Sequence, residues 1–348
     1  MTKNTRLLLI FTLVSVLLLF GVPGRPLAQT TETPKSMVIV DGRAATSTFA
    51  LITGIAEMIN RHTGIKTVPE AGTFGRNVLL VHKKEAEFGM TNNDRAYFAV
   101  RGEDDYKPFG KLNVRLMFSS SNSPPFCFVT RRDANIRSVA ELRGKKVMCV
   151  YPGNPAFTKG ADIHLEAAGM SRKDVQAMSF SGHEEGDMAL RERRISAYIH
   201  PMPITSVMPY LQELNYEVPI RLLSSPKDKL DVVLKKYPYF RQDTVPAKIY
   251  GDLVDQKDLP SIGVAEVLVC QTGLSEDLIY KVMKAIFEHL PELTTFTPIT
   301  KIWMGDPLSS AVPPYHPGAI RYYKEKKLWT DDLEKKQMQL MTEIGISK

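Results

Sequence analysis

The chain has 348 residues, with 45 lysines and arginines against 38 aspartates and glutamates and a formal net charge of +7. That length supports two hydrophobic cores. The mild basic balance, with no dense Lys/Arg run interleaved with aromatics, argues against nucleic acid as a partner.

Residues 1–28 read as a secretory signal: Lys3 and Arg6 precede the uncharged run Leu7–Val22, and Ala28 offers a small-residue cleavage site. The expected location is the periplasm, with an uncleaved N-terminal anchor as the alternative. No cysteine adjoins the cut, so a lipid-modified N-terminus is not expected. Cleavage removes Lys3, Arg6 and Arg25 and no acid, which leaves a net charge of +4.

Met37–Asp41 (MVIVD) predicts a buried strand, and the stretch after it places Ile52, Ile55, Ala56 and Ile59 on one helical face, closed by Gly64. Residues 145–169 repeat this unit: the strand VMCV, a Gly/Pro turn, a helix aligning Ala161, Leu165 and Ala168, and a closing Gly169. Residues 70–94 and 179–203 then each run turn, short helix, strand, polar loop. Two copies predict two α/β lobes, each with a parallel sheet whose strand ends carry the functional loops; one larger α/β sheet is the alternative. Farther on, 262–270 (IGVAEVLVC) predicts a strand, and 275–290 a helix capped by Ser275, with Ile279, Met283, Ile286 and Leu290 inward and Pro291 stopping it.

A lobe built from early and late segments around an inserted one needs two crossings. The candidates are 126–130 (FCFVT) and 264–270 (VAEVLVC), which assign 37–125 and 264–348 to lobe 1 and 126–263 to lobe 2. Two crossings make a hinge, and a hinge makes a ligand-closing cleft. Cys127, Cys149 and Cys270 lie in apolar runs, where buried free thiols are expected over a bridge. No metal or redox spacing, nucleotide loop, G-x-S-x-G or H-E-x-x-H occurs, so neither cofactor nor reaction is expected.

Six segments in order, the opening strand-loop-helix, AGTFGRN, AEFGMTNND, IRSVAELRGKKV, KKYPYF and YHPGAIRYYKEK, together resemble the TAXI-type periplasmic solute-binding subunits of TRAP transporters across Met37 to about Trp329. The resemblance implies a type II periplasmic-binding-protein fold. It implies capture of a small organic acid or amino acid, and delivery to an ion-gradient-driven TRAP permease by a monomeric receptor. A periplasmic ligand sensor partnering a membrane signalling protein is the alternative. Two departures stand out: GRAATSTF, with Arg43 and Phe49, replaces a glycine-rich loop with a tyrosine, and YPGNPAFTKG replaces the second glycine-rich loop.

On this frame, Arg43, Arg76 and Arg95 are candidate anchors for a carboxylate, and Thr46, Ser47 and Thr48 offer hydroxyls at a helix start. Asn77 and Asp94 match family positions by resemblance, and Asn92 lies in the same polar strand end. From lobe 2, Tyr151, Asn154 and Thr158 line the opposite loop, while Pro201, Met202 and Pro203 follow a strand end. The ligand is expected to be anionic or zwitterionic. In SGHEEGD, the acids read as helix-start residues rather than a metal or catalytic set, and His316 reads as a turn-fixing residue.

Overall fold

The computed structural model describes residues 34–346 apart from 43, 45, 122, 123, 310 and 311. The expected signal segment and Arg43 therefore lie outside the described residues. In chain order the first part comprises β1 (Ser36–Asp41), α1 (Ser47–Thr63), β2 (Lys66–Ala71), α2 (Phe74–His82), β3 (Phe88–Asn92), α3 (Asn93–Arg101) and β4 (Val114–Ser119). The middle part comprises β5 (Phe126–Arg131), β6 (Lys146–Val150), α4 (Pro155–Ala167), β7 (Gln176–Ser179), α5 (His183–Arg191), β8 (Ala197–Pro201), α6 (Pro209–Glu217), β9 (Ile220–Leu223), α7 (Lys227–Leu234), β10 (Arg241–Val245), α8 (Ala247–Tyr250) and β11 (Leu259–Gly263). The last part comprises β12 (Glu266–Gln271), α9 (Glu276–Phe287), α10 (Leu290–Thr294), α11 (Thr300–Trp303), α12 (Pro317–Glu325) and α13 (Asp331–Glu343).

These strands form two sheets, which excludes the single-sheet alternative. One has the order β2-β1-β3-β12-β4; the other runs β10-β11-β5-β8-β6-β7, with β9 also paired to β5. Each has its own buried hydrophobic cluster. Both sheets are mixed rather than parallel. β1, β2 and β3 are parallel, as are β6, β7 and β8, but β12 opposes β3 and β4, and β5 opposes β8. β12 and β5 each carry the chain into a lobe from a crossing, so they enter from the edge where the parallel strands end and run against them.

Periodicity placed the helices well. On α1, Ile52, Ile55, Ala56 and Ile59 are all buried, Thr46 caps the start by accepting from the Phe49 N–H, and Gly64 closes the end with φ 74°. On α4, Ala161 and Leu165 are buried, but Ala168 is the half-buried C-cap. α9 is capped by Ser275 and buries Ile279, Met283 and Ile286, yet it ends at Phe287. Pro291 does not stop it. This proline instead occupies the first turn of α10, where its missing N–H costs nothing.

The expected strand 262–270 is two strands. β11 belongs to the second sheet and β12 to the first, and the chain crosses between them in Val264–Ala265 alone. The other crossing joins β4 to β5, and the two run side by side. The Ser120 N–H donates to the Glu266 carbonyl (2.8 Å), the Glu266 N–H donates to the Ser120 hydroxyl (3.1 Å), and Ile262 pairs with Phe126 on the far side. Two adjoining, hydrogen-bonded crossings restrict relative motion to bending about one axis. The division between early-plus-late and middle segments is not clean in packing, since Val312 lies in the second lobe's core and Tyr97 and Phe98 pack against it.

Candidate functional site

The carboxyl ends of β1 and β3 and the start of β12 share one edge of the first sheet, with Glu266 opposite Asn92 in register. From this edge Asn92 donates its side-chain N–H to Asn154 Oδ1 on the second lobe at 2.7 Å. The same Asn154 oxygen caps α4 by accepting from the Ala156 N–H at 3.2 Å. Asn92 and Asn154, both expected at the site, therefore meet across the lobes. Beside them, Asn93 donates to the Tyr239 carbonyl (3.4 Å), and the Tyr239 ring lies 4.9 Å from those of both Tyr97 and Phe98. Tyr239 belongs to KKYPYF, whose place in the site was not evident from sequence.

Asp41 ends β1 and is fully buried. Neither of its carboxylate oxygens has a hydrogen-bond partner among the described residues. Burial pushes its pKa up to about 6 from 3.8, against the smaller opposing pull of the Gly42 amide and the Thr48 hydroxyl. Glu266 is held by the indole N–H of Trp303 at 3.1 Å; burial first, and the nearby Asp41 charge second, push it up to about 8. Asp94 is buried with Oδ1 unpartnered, and desolvation raises its pKa against the pull of Arg95. This edge is rich in acceptors.

The expected arginine anchors are placed elsewhere. Arg95 is buried and spends its guanidinium on Asp94, Asp104 and Asp105, at 3.1, 3.0 and 3.0 Å. Arg76 is exposed in the first turn of α2. Asn77 is also redirected: its amide donates to the carbonyls of Asp41 (3.0 Å) and Met90 (2.8 Å), and its oxygen accepts from the Thr73 N–H (3.1 Å). It ties the β1 loop down rather than facing a ligand. Gly72 makes room for it, because a Cβ there would stand 2.2 Å from Asn77 Oδ1 and 2.9 Å from the Asp41 carbonyl.

Of the hydroxyls, Thr46 is the helix cap and lies 3.1 Å from Thr48, while Ser47 is exposed. Phe49 is half-buried against the first core. On the second lobe, Thr158 Oγ1 accepts from the Tyr151 N–H (2.8 Å) and holds its own loop, and Tyr151 stacks on Phe180 at 4.9 Å. Pro201 pairs with Phe126 within the sheet, and Met202 is fully buried in the core, so neither walls a cleft; the half-buried Pro203 accepts the Tyr250 hydroxyl on its carbonyl. His183 joins an aromatic group with Phe157 and His200, while Glu185 accepts from the Ser181 N–H and hydroxyl and Asp187 from Tyr198. His316 caps α12, accepting from the Gly318 N–H and donating to the Leu274 carbonyl. All three cysteines are free and buried. Among the described residues, no helix is long and apolar enough to cross a membrane.

Glu266 escaped the sequence reading. Its only signal was an acid opening an otherwise apolar run immediately after a chain crossing.

The chain is similar to several solved structures. XAC2383 from Xanthomonas citri, bound to ATP, is 9% identical with a TM-score of 0.51, covering 89% of this chain and 99% of its own. The periplasmic aliphatic sulphonate binding protein SsuA from Escherichia coli is 12% identical with a TM-score of 0.46, covering 87% and 92%. An ancestral arginine-binding protein bound to arginine is 14% identical with a TM-score of 0.44, covering 79% and 100%. The two-lobed α/β fold is shared with XAC2383. Residues 41–326 match the NMT1-like family, and the chain belongs to that family.

Proposed function

We propose that the protein is an extracytoplasmic solute receptor that closes two lobes on a small molecule and hands it to a TRAP permease driven by an ion gradient. The observation that carries this reading is the pair of sheets linked by two adjoining crossings and bridged by Asn92 and Asn154. Groups contributed from both sides stabilise the closed state alone, so a solute that contacts both shifts the population toward it. In this reading the protein acts in the periplasm, as a monomer, and carries no reaction of its own. Assignment to the TRAP class rests on the motif resemblance.

Native mass spectrometry of the protein as purified tests the capture. A retained small solute is the expected result; bare protein that also ignores a broad solute panel would overturn the reading. Uptake into vesicles carrying the permease should follow an imposed ion gradient without ATP, whereas a strict ATP requirement would move the receptor to another transporter class.

A further inference from the structure

We infer that the solute carries a positively charged nitrogen, a protonated amine or amidinium, and that Asp41 is its counter-ion. This rests on the receptor reading above and names the class of solute. The loop between β1 and α1 is where an anionic solute would be expected, since a helix N-terminus gathers unpaired N–H groups and positive potential. Here the chain places a carboxylate of its own beside the Thr48 hydroxyl in the first turn of that helix. The anion position is filled from within.

Among the described residues no cation pairs with it, and the Gly42 amide and the Thr48 hydroxyl only partly offset its burial. Asp41 is fully buried, and both its oxygens lack hydrogen-bond partners among the described residues. The two described arginines expected nearby do not serve: Arg95 is taken by three aspartates and Arg76 is exposed. A buried carboxylate without partners is costly, and removing water from around it makes any arriving cation more strongly attracted. Glu266, on the same edge, feels the Asp41 charge, and Asp94, whose Oδ2 pairs with Arg95, has a second buried oxygen without a hydrogen-bond partner among the described residues. A carboxylate solute entering here would be repelled by the Asp41 charge. An ammonium or amidinium would satisfy it, donating to Asp41 while Asn92 and Asn154 close the other side.

Scanning fluorimetry at pH 8 with matched pairs tests this: L-glutamate against glutarate, L-alanine against propionate, and putrescine against butane-1,4-diol. An amine-bearing member should raise the melting temperature where its nitrogen-free partner does not. Asp41→Asn should weaken that binding at least a hundredfold, and Glu266→Gln should weaken it about tenfold, in proteins whose circular dichroism matches the parent. A nitrogen-free carboxylate that stabilises as strongly as its amine counterpart would overturn the inference, as would undiminished binding by folded Asp41→Asn. If no panel member stabilises and no solute is retained on purification, the receptor reading itself fails and takes the inference with it.

Discussion

Replacing Asp41 with asparagine should stabilise the solute-free protein, by an amount that depends on pH in a defined way. The carboxyl has a pKa near 3.8 in an unfolded chain and about 6 in the fold, because burial disfavours its charge. Two pKa units correspond to about 3 kcal/mol. Below pH 3.8 both states are protonated and the group is neutral in its effect. Between 3.8 and 6 the unfolded chain gives up its proton while the fold retains it, so stability falls; above 6 the whole penalty is present. Asparagine keeps the shape and does not titrate. The gap between variant and parent in urea midpoint should therefore be near zero at pH 4, open through pH 6, and reach about 3 kcal/mol by pH 7. Near pH 8 it should widen further, because removing the Asp41 charge also relieves Glu266. A variant destabilised equally at pH 4 and pH 7 would refute the reasoning, and would make Asp41 a structural acceptor.

Amine binding should require ionised Asp41, so affinity measured by calorimetry should fall about tenfold per pH unit below pH 6; the other groups facing Asp41 are Glu266, the Thr48 hydroxyl and Asn77. Affinity constant from pH 7 to pH 4.5 would contradict this. Asn77→Ala should lower stability by about 1–3 kcal/mol, since it strands the buried carbonyls of Asp41 and Met90; chemical denaturation checks it, and an unchanged midpoint would contradict it. Tyr239→Ala removes the aromatic contact with Tyr97 and Phe98 between the lobes and should weaken solute binding by about 1 kcal/mol, read as a faster off-rate. The three thiols should resist a water-soluble disulfide reagent in the native protein and react fully in guanidinium, because burial raises all three, Cys149 to about 11 and Cys127 to about 12. Fewer than three reactive thiols after denaturation would contradict their free state.

Local structure was the legible part of the sequence. The apolar spacing of Ile52, Ile55, Ala56 and Ile59, the Gly64 stop and the Ser275 cap depend on neighbours within a turn or two, and each appears where expected. Pro291 was misjudged because proline is compatible with both a helix end and a helix start, and only packing decides which. Site residues depend on contacts far apart in the chain. Nothing local to Asn92 points to Asn154, 62 residues away, and nothing near Asn77 shows that the Asp41 carbonyl consumes its amide. Arg95 was readable in part: Asp104 and Asp105 lie within ten residues of it and neutralise it before any ligand could. In the sequence Asp41 is only the last residue of the predicted strand Met37–Asp41. Its significance appears only when both oxygens are found buried without partners.

The closing of two lobes on a solute is tested most directly by small-angle scattering on protein freed of retained ligand, before and after saturation with the solute that stabilises it. The structure brings Asn92 to Asn154 and Tyr239 to Tyr97 across the lobes, so the saturated protein should match the scattering profile calculated from it. The solute-free protein should have a larger radius of gyration, as expected when the cross-lobe contacts open and the crossings at Val264–Ala265 and between β4 and β5 bend. An identical radius in both states, or expansion on saturation, would contradict capture by lobe closure.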